Sequence, residues 1–420
     1  MENFYHSVHL DSSLCKGCIN CIKRCPTQAI RVHNGKAVIK NSFCIDCGEC
    51  IRICPHHAKQ ASYDSLDVLN DYEYKIALPA PSLYAQFNNI DDANIVLRAL
   101  IGMGFDDVYE VSGAAELVSE MSRKYVEEHP EGKPFISTAC PTVVRLVRAR
   151  FPNLIDHLLP FNAPVELAAS LARKKAMEVT KLPSEKIGVI FISPCPAKVS
   201  ACKQGLGIKK SDVDAVVAIK EVYPKLLPHM SYEDDYEADF VRSGRIGVGW
   251  GNSGGEAGGL LTDSYLAADG IENVIRVLED LEDQKFGELD FIELNACSGG
   301  CVGGVLNVEN PYVAQAKLKK LCKYLPVARN HVNGVYIDKA FWDEPIEYTP
   351  VFKLGKTFAE SFDKMQQVEM LCAELPGLDC GSCGAPTCKA LAEDIVRGEA
   401  SVKDCIFVLR EFFNNNNKEQ

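Results

Sequence analysis

Sixteen of the nineteen cysteines in this 420-residue chain fall into four sets of four, and no other feature restricts its folding as tightly. Four thiolates converging on one metal centre pin four backbone positions around a single point, whatever else the chain does. Two sets run C-x2-C-x2-C-x3-C-P near the N-terminus: Cys15, Cys18, Cys21 and Cys25, then Cys44, Cys47, Cys50 and Cys54. A third set is dispersed over Cys140, Cys195, Cys297 and Cys301, and a fourth, Cys380, Cys383, Cys388 and Cys405, lies towards the end. Four thiolates are what one cubane iron–sulfur cluster needs, so the cysteines read as a chain of clusters.

The charge balance, 45 basic against 57 acidic residues for a net −12 with no basic block, argues against nucleic acid and anionic membranes as partners. Met1 to Leu14 lacks the basic-then-apolar pattern of a leader. No apolar run approaches the roughly 20 residues of a membrane span, so the expected location is cytoplasmic. In a reducing compartment, cysteines at such gaps ligate metal rather than pair as disulfides. Cys202, Cys322 and Cys372 remain over, with buried free thiols as their default reading.

Residues 15–30 and 44–59 are two versions of one unit, 29 residues apart. From Lys75 onward, strand and helix patterns alternate: KIALPA, DVYEVS, PFISTAC, KIGVIFISPC, DAVVAIKEV and FIELNAC read as strands with helices between them. Alternation of this kind predicts parallel sheets covered by helices. Cys140, Cys195 and Cys297 end such strands, where open α/β sheets place their ligand sites. The pattern stops near Lys353 to Gly355, and the asparagines from Asn414 to Asn417 read as a frayed tail. The expected domains are 1–70, 71–355 and 356–420.

The duplicated run resembles the bacterial two-cluster ferredoxin, in which the fourth cysteine of each run serves the other cluster. That resemblance implies one cubane on Cys15, Cys18, Cys21 and Cys54 and a second on Cys25, Cys44, Cys47 and Cys50. The final set, in LPGLDCGSCGAPTC, is similar to small C-terminal cluster domains of anaerobic iron–sulfur proteins. Zinc is the alternative occupant on spacing alone, and Cys372 a possible replacement ligand.

Around the dispersed set lie STACP (Ser137 to Pro141), SPCPAK (Ser193 to Lys198) and ELNACSGGCVGG (Glu293 to Gly304). In order and spacing they resemble the three motifs of the catalytic domain of iron–iron (FeFe) hydrogenases, over roughly Lys75 to Lys353. The resemblance implies an α/β catalytic domain of two lobes with parallel-rich sheets covered by helices. A small α+β ferredoxin domain precedes it and a small, mostly helical cluster domain follows. It implies an H-cluster: a cubane on Cys140, Cys195, Cys297 and Cys301, with Cys301 bridging to a di-iron unit that carries carbon monoxide, cyanide and a dithiolate. Three accessory 4Fe-4S clusters would conduct electrons. Lys198 and Ser82 match the residues that hydrogen-bond the two cyanides. The implied reaction interconverts dihydrogen with protons and electrons, with ferredoxin or a signalling protein as partner and maturation proteins supplying the di-iron unit.

Departures from the family pattern are as informative. The position of the proton-passing thiol is Ala139, whose methyl cannot titrate. Gly113 stands where an acid is expected, while Glu116 keeps the outer acid and a relay serine falls near Pro160. Ser193 and Asn295 replace two methionines, and Trp250 supplies an aromatic. Such losses resemble the sensory branches of the family, whose turnover is slow. If protons move by another path, Glu256, Glu293 and Cys202 are the candidate carriers. The bland alternatives are a solvated loop acid for Glu256, a structural ion pair for Glu293 and a packed thiol for Cys202. Two other functions stay open: a metabolic, ferredoxin-linked hydrogenase, and a non-enzymatic iron–sulfur assembly or carrier protein similar to hydrogenase-like scaffolds.

Overall fold

A computed structural model describes residues 5–231, 239–351 and 354–416. The boundary read at Lys353 and the last tail asparagine, Asn417, lie outside the described residues. Chain contacts define two compact units: Met1–Ile45 with Glu49–Ala61 and Thr349–Gln420, and Asp46–Gly48 with Ser62–Tyr348. The C-terminal cysteine segment, read from sequence as a separate domain, is thus gathered into one unit with the ferredoxin-like segment.

In that first unit, β1 (Val8–Leu10) pairs antiparallel with β4 (Lys59–Ala61), and β2 (Ile30–His33) with β3 (Lys36–Ile39). Cys15, Cys21, Ile22, Ile30, Ala37 and Ala58 form its small core. So small a core contributes little stability, and the packed C-terminal segment adds apolar burial to the same unit. The C-terminal segment is helical, with Phe358–Glu374, Cys388–Val396 and Ile406–Asn416 as its main elements. It is joined to the repeat by a buried charge cluster. Arg31 pairs with both oxygens of Asp394, and Lys40 donates to the same carboxylate at 2.5 Å. The Val32 amide also donates to Gly384 O at 2.8 Å.

The second unit contains two parallel sheets. One has the order β6-β5-β8-β9, from β5 (Tyr74–Pro79), β6 (Asp107–Val108), β8 (Ile187–Ser193) and β9 (Ala215–Ala218). The other has the order β10-β11-β7, from β7 (Phe135–Ile136), β10 (Tyr265–Asp269) and β11 (Phe291–Asn295). Every residue of β8, IGVIFIS, is buried, as a central strand covered on both faces requires. Several strands are shorter than their apolar runs suggest, β6 and β7 being two residues each. In DAVVAIKEV only Ala215–Ala218 is strand, since Ile219 opens a helix that runs to Leu226. A buried apolar run reads alike in either state, and packing decides which forms.

Candidate metal and proton site

The dispersed cysteines follow the carboxyl ends of strands in the second unit. Cys195 comes two residues after β8 and Cys297 two after β11, while Cys140 comes four after β7. Cys140 and Cys195 each precede a proline that starts a helix, Pro141–Arg150 and Pro196–Gln204. Proline lacks the amide a first helical turn leaves unused, so each strand can turn sharply into its helix with the thiol at the bend. Cys301 follows Gly299 and Gly300, both at positive φ. A Cβ on Gly300 would lie 2.4 Å from the Ser253 amide nitrogen, so only glycine admits this turn. Asn307 fixes the turn by donating to the carbonyls of Cys301 and Val302 at 2.9 and 2.8 Å.

Lys198 lies among all four thiols. Its ammonium donates to Ala139 O at 3.2 Å and approaches Cys301 Sγ at 3.9 Å. Burial works against its charge, but the field of Cys301, Cys195, Cys140 and Cys297 more than offsets this and raises its pKa. Ser82 stands on the turn Pro81–Gln86. That turn is held by Tyr84, whose hydroxyl donates to Glu110 at 2.7 Å, and by Gln86, which accepts from the Val308 and Glu309 amides. The Ser82 hydroxyl is fully buried and has no hydrogen-bond partner among the described residues. A buried orphan donor is costly, and it suits a site whose remaining acceptors come from a bound group. Four convergent thiols, one ammonium and one free hydroxyl are the donor set an anionic cluster with acceptor ligands would require.

Glu256 and Glu293 are both buried beside this site. Glu293 accepts from the Gly254 and Ala257 amides at 2.9 and 2.8 Å and from Asn295 Nδ2 at 2.7 Å. Its partners are therefore backbone amides and a carboxamide, not a cation. Glu256 has one such bond, from Ser137 Oγ at 2.5 Å, and the Ser137 oxygen in turn accepts from the Ala139 amide at 3.2 Å. Burial, reinforced by the neighbouring Glu293 charge, pushes the Glu256 carboxyl up to about 8. Burial raises Glu293 as well, against the pull of its amide donors. Four donors on Glu293, the Glu256 amide among them, against one on Glu256 make Glu256 the acid of the pair that keeps its proton more readily.

Other residues singled out from sequence have structural employment. Glu116 accepts from the amides of Gly244, Arg329 and Asn330 and from Asn330 Nδ2, and so braces these segments together. Ser193 bonds the backbone of Cys195, and Trp250 donates to Ser119 at 2.9 Å. Cys202 is buried against Glu166, and burial with that acid pushes its thiol well up. Glu166, which sequence reasoning missed, is pushed up to about 7 by burial and accepts from Ser211 at 2.6 Å. It shares a cavity with Lys198, Thr138 and Cys202. Ser137 was visible only as a motif letter, because nothing in the sequence pairs it with Glu256.

In the first unit, one cavity is lined by Cys15, Cys18, Cys21 and Cys54, together with Lys59. Cys25 and Cys50 are close enough for their charges to oppose each other, and Cys44 closes the turn Asn41–Phe43. Cys47 belongs with the second unit's residues. Cys380, Cys383, Cys388 and Cys405 line another cavity, and Ser382 lowers the Cys380 pKa through its hydrogen bonds.

Family comparisons agree with these three cysteine regions. The profile described as the iron-only hydrogenase large subunit, C-terminal domain, matches residues 73–261 and 258–305. A 4Fe-4S dicluster domain matches 7–55 and an Fe-S cluster family matches 375–407. The NADP-reducing hydrogenase subunit HndD of Solidesulfovibrio fructosivorans is 24% identical over 348 residues, covering 71% of this chain and 56% of that protein. Iron hydrogenase 1 of Clostridium pasteurianum is 24% identical over 289 residues, covering 55% and 50%. The chain thus spans about half the length of the curated relatives it matches. A variant of the FeFe-hydrogenase HydA1 from Chlamydomonas reinhardtii superposes with a TM-score of 0.48 at 14% identity, covering 60% of this chain and 87% of that one. With more than half of its length matched by the hydrogenase domain profile, the chain belongs to the iron-only (FeFe) hydrogenase family.

Proposed function

We propose that this protein is an FeFe hydrogenase of the sensory kind, interconverting dihydrogen with protons and electrons slowly and passing its redox state through 4Fe-4S clusters to ferredoxin or a signalling partner. Cys140, Cys195, Cys297 and Cys301 would hold the H-cluster cubane, with Cys301 bridging to a di-iron unit supplied by maturation proteins. When bound, that group supplies the metal position at which the H–H bond is made or broken. Lys198 places a cation beside Cys301, and the unpartnered Ser82 hydroxyl is available to donate.

The observation that carries the reading is the Glu256–Ser137–Ala139 sequence of hydrogen bonds. Glu256 holds a proton near neutral pH and can exchange it with the Ser137 hydroxyl. At the next position the family's relay has a thiol, whereas this chain has a methyl group and an amide N–H that already donates to Ser137. A proton reservoir ending one group short of the reacting centre supports slow turnover. Glu256→Gln, with the di-iron unit verified by the infrared bands of its diatomic ligands, should lose most activity. Unchanged turnover would remove Glu256 from the path.

The same buried acid also favours a second reading, a metabolic hydrogenase that delivers protons through Glu256 at useful rates. A turnover number in the range of hundreds per second or more would select it over the sensor. The scaffold alternative is disfavoured by Ser82, since a buried free hydroxyl has no use in a site without acceptor ligands.

A further inference from the structure

The two halves of the cysteine repeat differ at one buried position. Ile30 ends the first half and Lys59 the second, 29 residues later. Both are 2% exposed. Ile30 packs in the small core with Cys15, Cys21 and Ala58, so the fold accommodates an apolar side chain there. Lys59 opens β4 opposite Leu10 of β1. Its ammonium has no hydrogen-bond partner among the described residues, and it lines the cavity of Cys15, Cys18, Cys21 and Cys54. Its charge also bears on Cys50, which belongs to the other cysteine set, that of Cys25, Cys44 and Cys47. Burying a lone ammonium costs several kcal/mol unless an anion compensates it. Arg31 and Lys40 have Asp394 for this purpose, whereas no carboxylate among the described residues pairs with Lys59. The anion-forming groups on the cavity it lines are the sulfurs of Cys15, Cys18, Cys21 and Cys54, beside Lys16, Asn20 and His56.

We propose that Lys59 sets the reduction potential of the ferredoxin-like clusters, as a cation enclosed between the two cysteine sets. The proposal rests on the reading of these sets as 4Fe-4S sites. Each cubane accepts one electron without a proton and gains one negative charge. A fixed neighbouring cation stabilises the reduced form more than the oxidised one and raises the potential. The Lys59 amide also bonds Cys54, so backbone and side chain act on the same centre. The chain would in this way hold electrons on its ferredoxin-like unit longer than a repeat with isoleucine in both halves.

The test is an EPR-monitored redox titration of the full-length, cluster-loaded protein. The wild type must first show bound iron and the signals of reduced cubanes; their absence fails the cluster assignment and the proposal with it. Lys59→Ile, which copies the other half of the repeat, should keep its iron and shift at least one midpoint to more negative potential. The expected shift corresponds to about a tenfold lower ratio of reduced to oxidised cluster at fixed potential, about 59 mV for one electron. Lys59→Arg should stay near wild type. Cubanes whose midpoints are unmoved in Lys59→Ile, or in Lys59→Met should the first variant lose iron, overturn the proposal. Loss of iron from both neutral variants overturns it as well, because Lys59 would then serve only the fold.

Discussion

The two units manage charge around their cysteines in opposite ways. In the first, fixed cations face the sulfurs or a single carboxylate: Lys59 at the cluster cavity, and Arg31 and Lys40 on Asp394. In the second, one cation, Lys198, is accompanied by buried acids that hold protons near neutrality, Glu256 and Glu166. The difference fits the chemistry proposed for each. An electron-transfer centre needs a stable electrostatic setting and gains nothing from a proton that comes and goes. A centre that exchanges protons needs groups whose proton affinity lies near the working pH.

The largest effect expected from breaking this contrast is on the first unit. Asp394→Ala leaves Arg31 buried without its anion and should cost about 3–5 kcal/mol. Urea unfolding followed by loss of cluster absorbance will measure it, and a change within error would show that the charge cluster is incidental. In the second unit, Ala139→Cys supplies a titratable group where the relay ends and should raise hydrogen turnover about a hundredfold. A matured variant no faster than wild type would mean that proton delivery is not what limits the reaction.

Opposite pH dependences should follow as well. Hydrogen bonds from Arg31 and Lys40 overcome burial and hold Asp394 below its ordinary 3.8. Its contribution is complete above that value and is lost as pH falls through the lower folded pKa. The raised Glu256 does the reverse. Its contribution is complete below the ordinary 4.5 and is lost as pH rises towards about 8. Over that window the slope is about 1.4 kcal/mol per pH unit for one proton. Glu256→Gln should flatten this alkaline loss, read as denaturation midpoints at several pH values, and an unchanged profile would mean that the acid is ionised when folded. The smallest effect belongs to Glu399, a half-exposed partner of Lys40. Glu399→Ala should cost no more than about 1 kcal/mol, and a larger loss would place that surface pair in the structural core of the first unit.

Much of the first unit was legible because its ligands lie in short runs. A loop with two-residue gaps brings its thiols together by local geometry, so Cys15, Cys18 and Cys21 announce a site unaided. The docking of the C-terminal segment on the repeat was not legible, since Arg31 and Asp394 are 363 residues apart and each looks like an ordinary surface charge. In the second unit the motif cysteines, Lys198 and Ser82 were found through family resemblance, and Glu256 and Glu293 through their unusual setting among glycines and at a strand end. Their roles were not separable in sequence, where both are simply acids. Nor could the sequence show that Glu116 braces three segments, or that Glu166 shares a cavity with Lys198.

The missing thiol at Ala139 came from the family resemblance; by itself the sequence determined the four cysteine groups and the parallel sheets with their cysteine bends. These depend on residue identity, local spacing and periodicity, which a linear chain displays. Only the tertiary structure decided which acid holds the proton, which charges find partners and which, like Lys59, do not. Burial and hydrogen bonding set those outcomes, and both arise from segments that meet only when the chain folds.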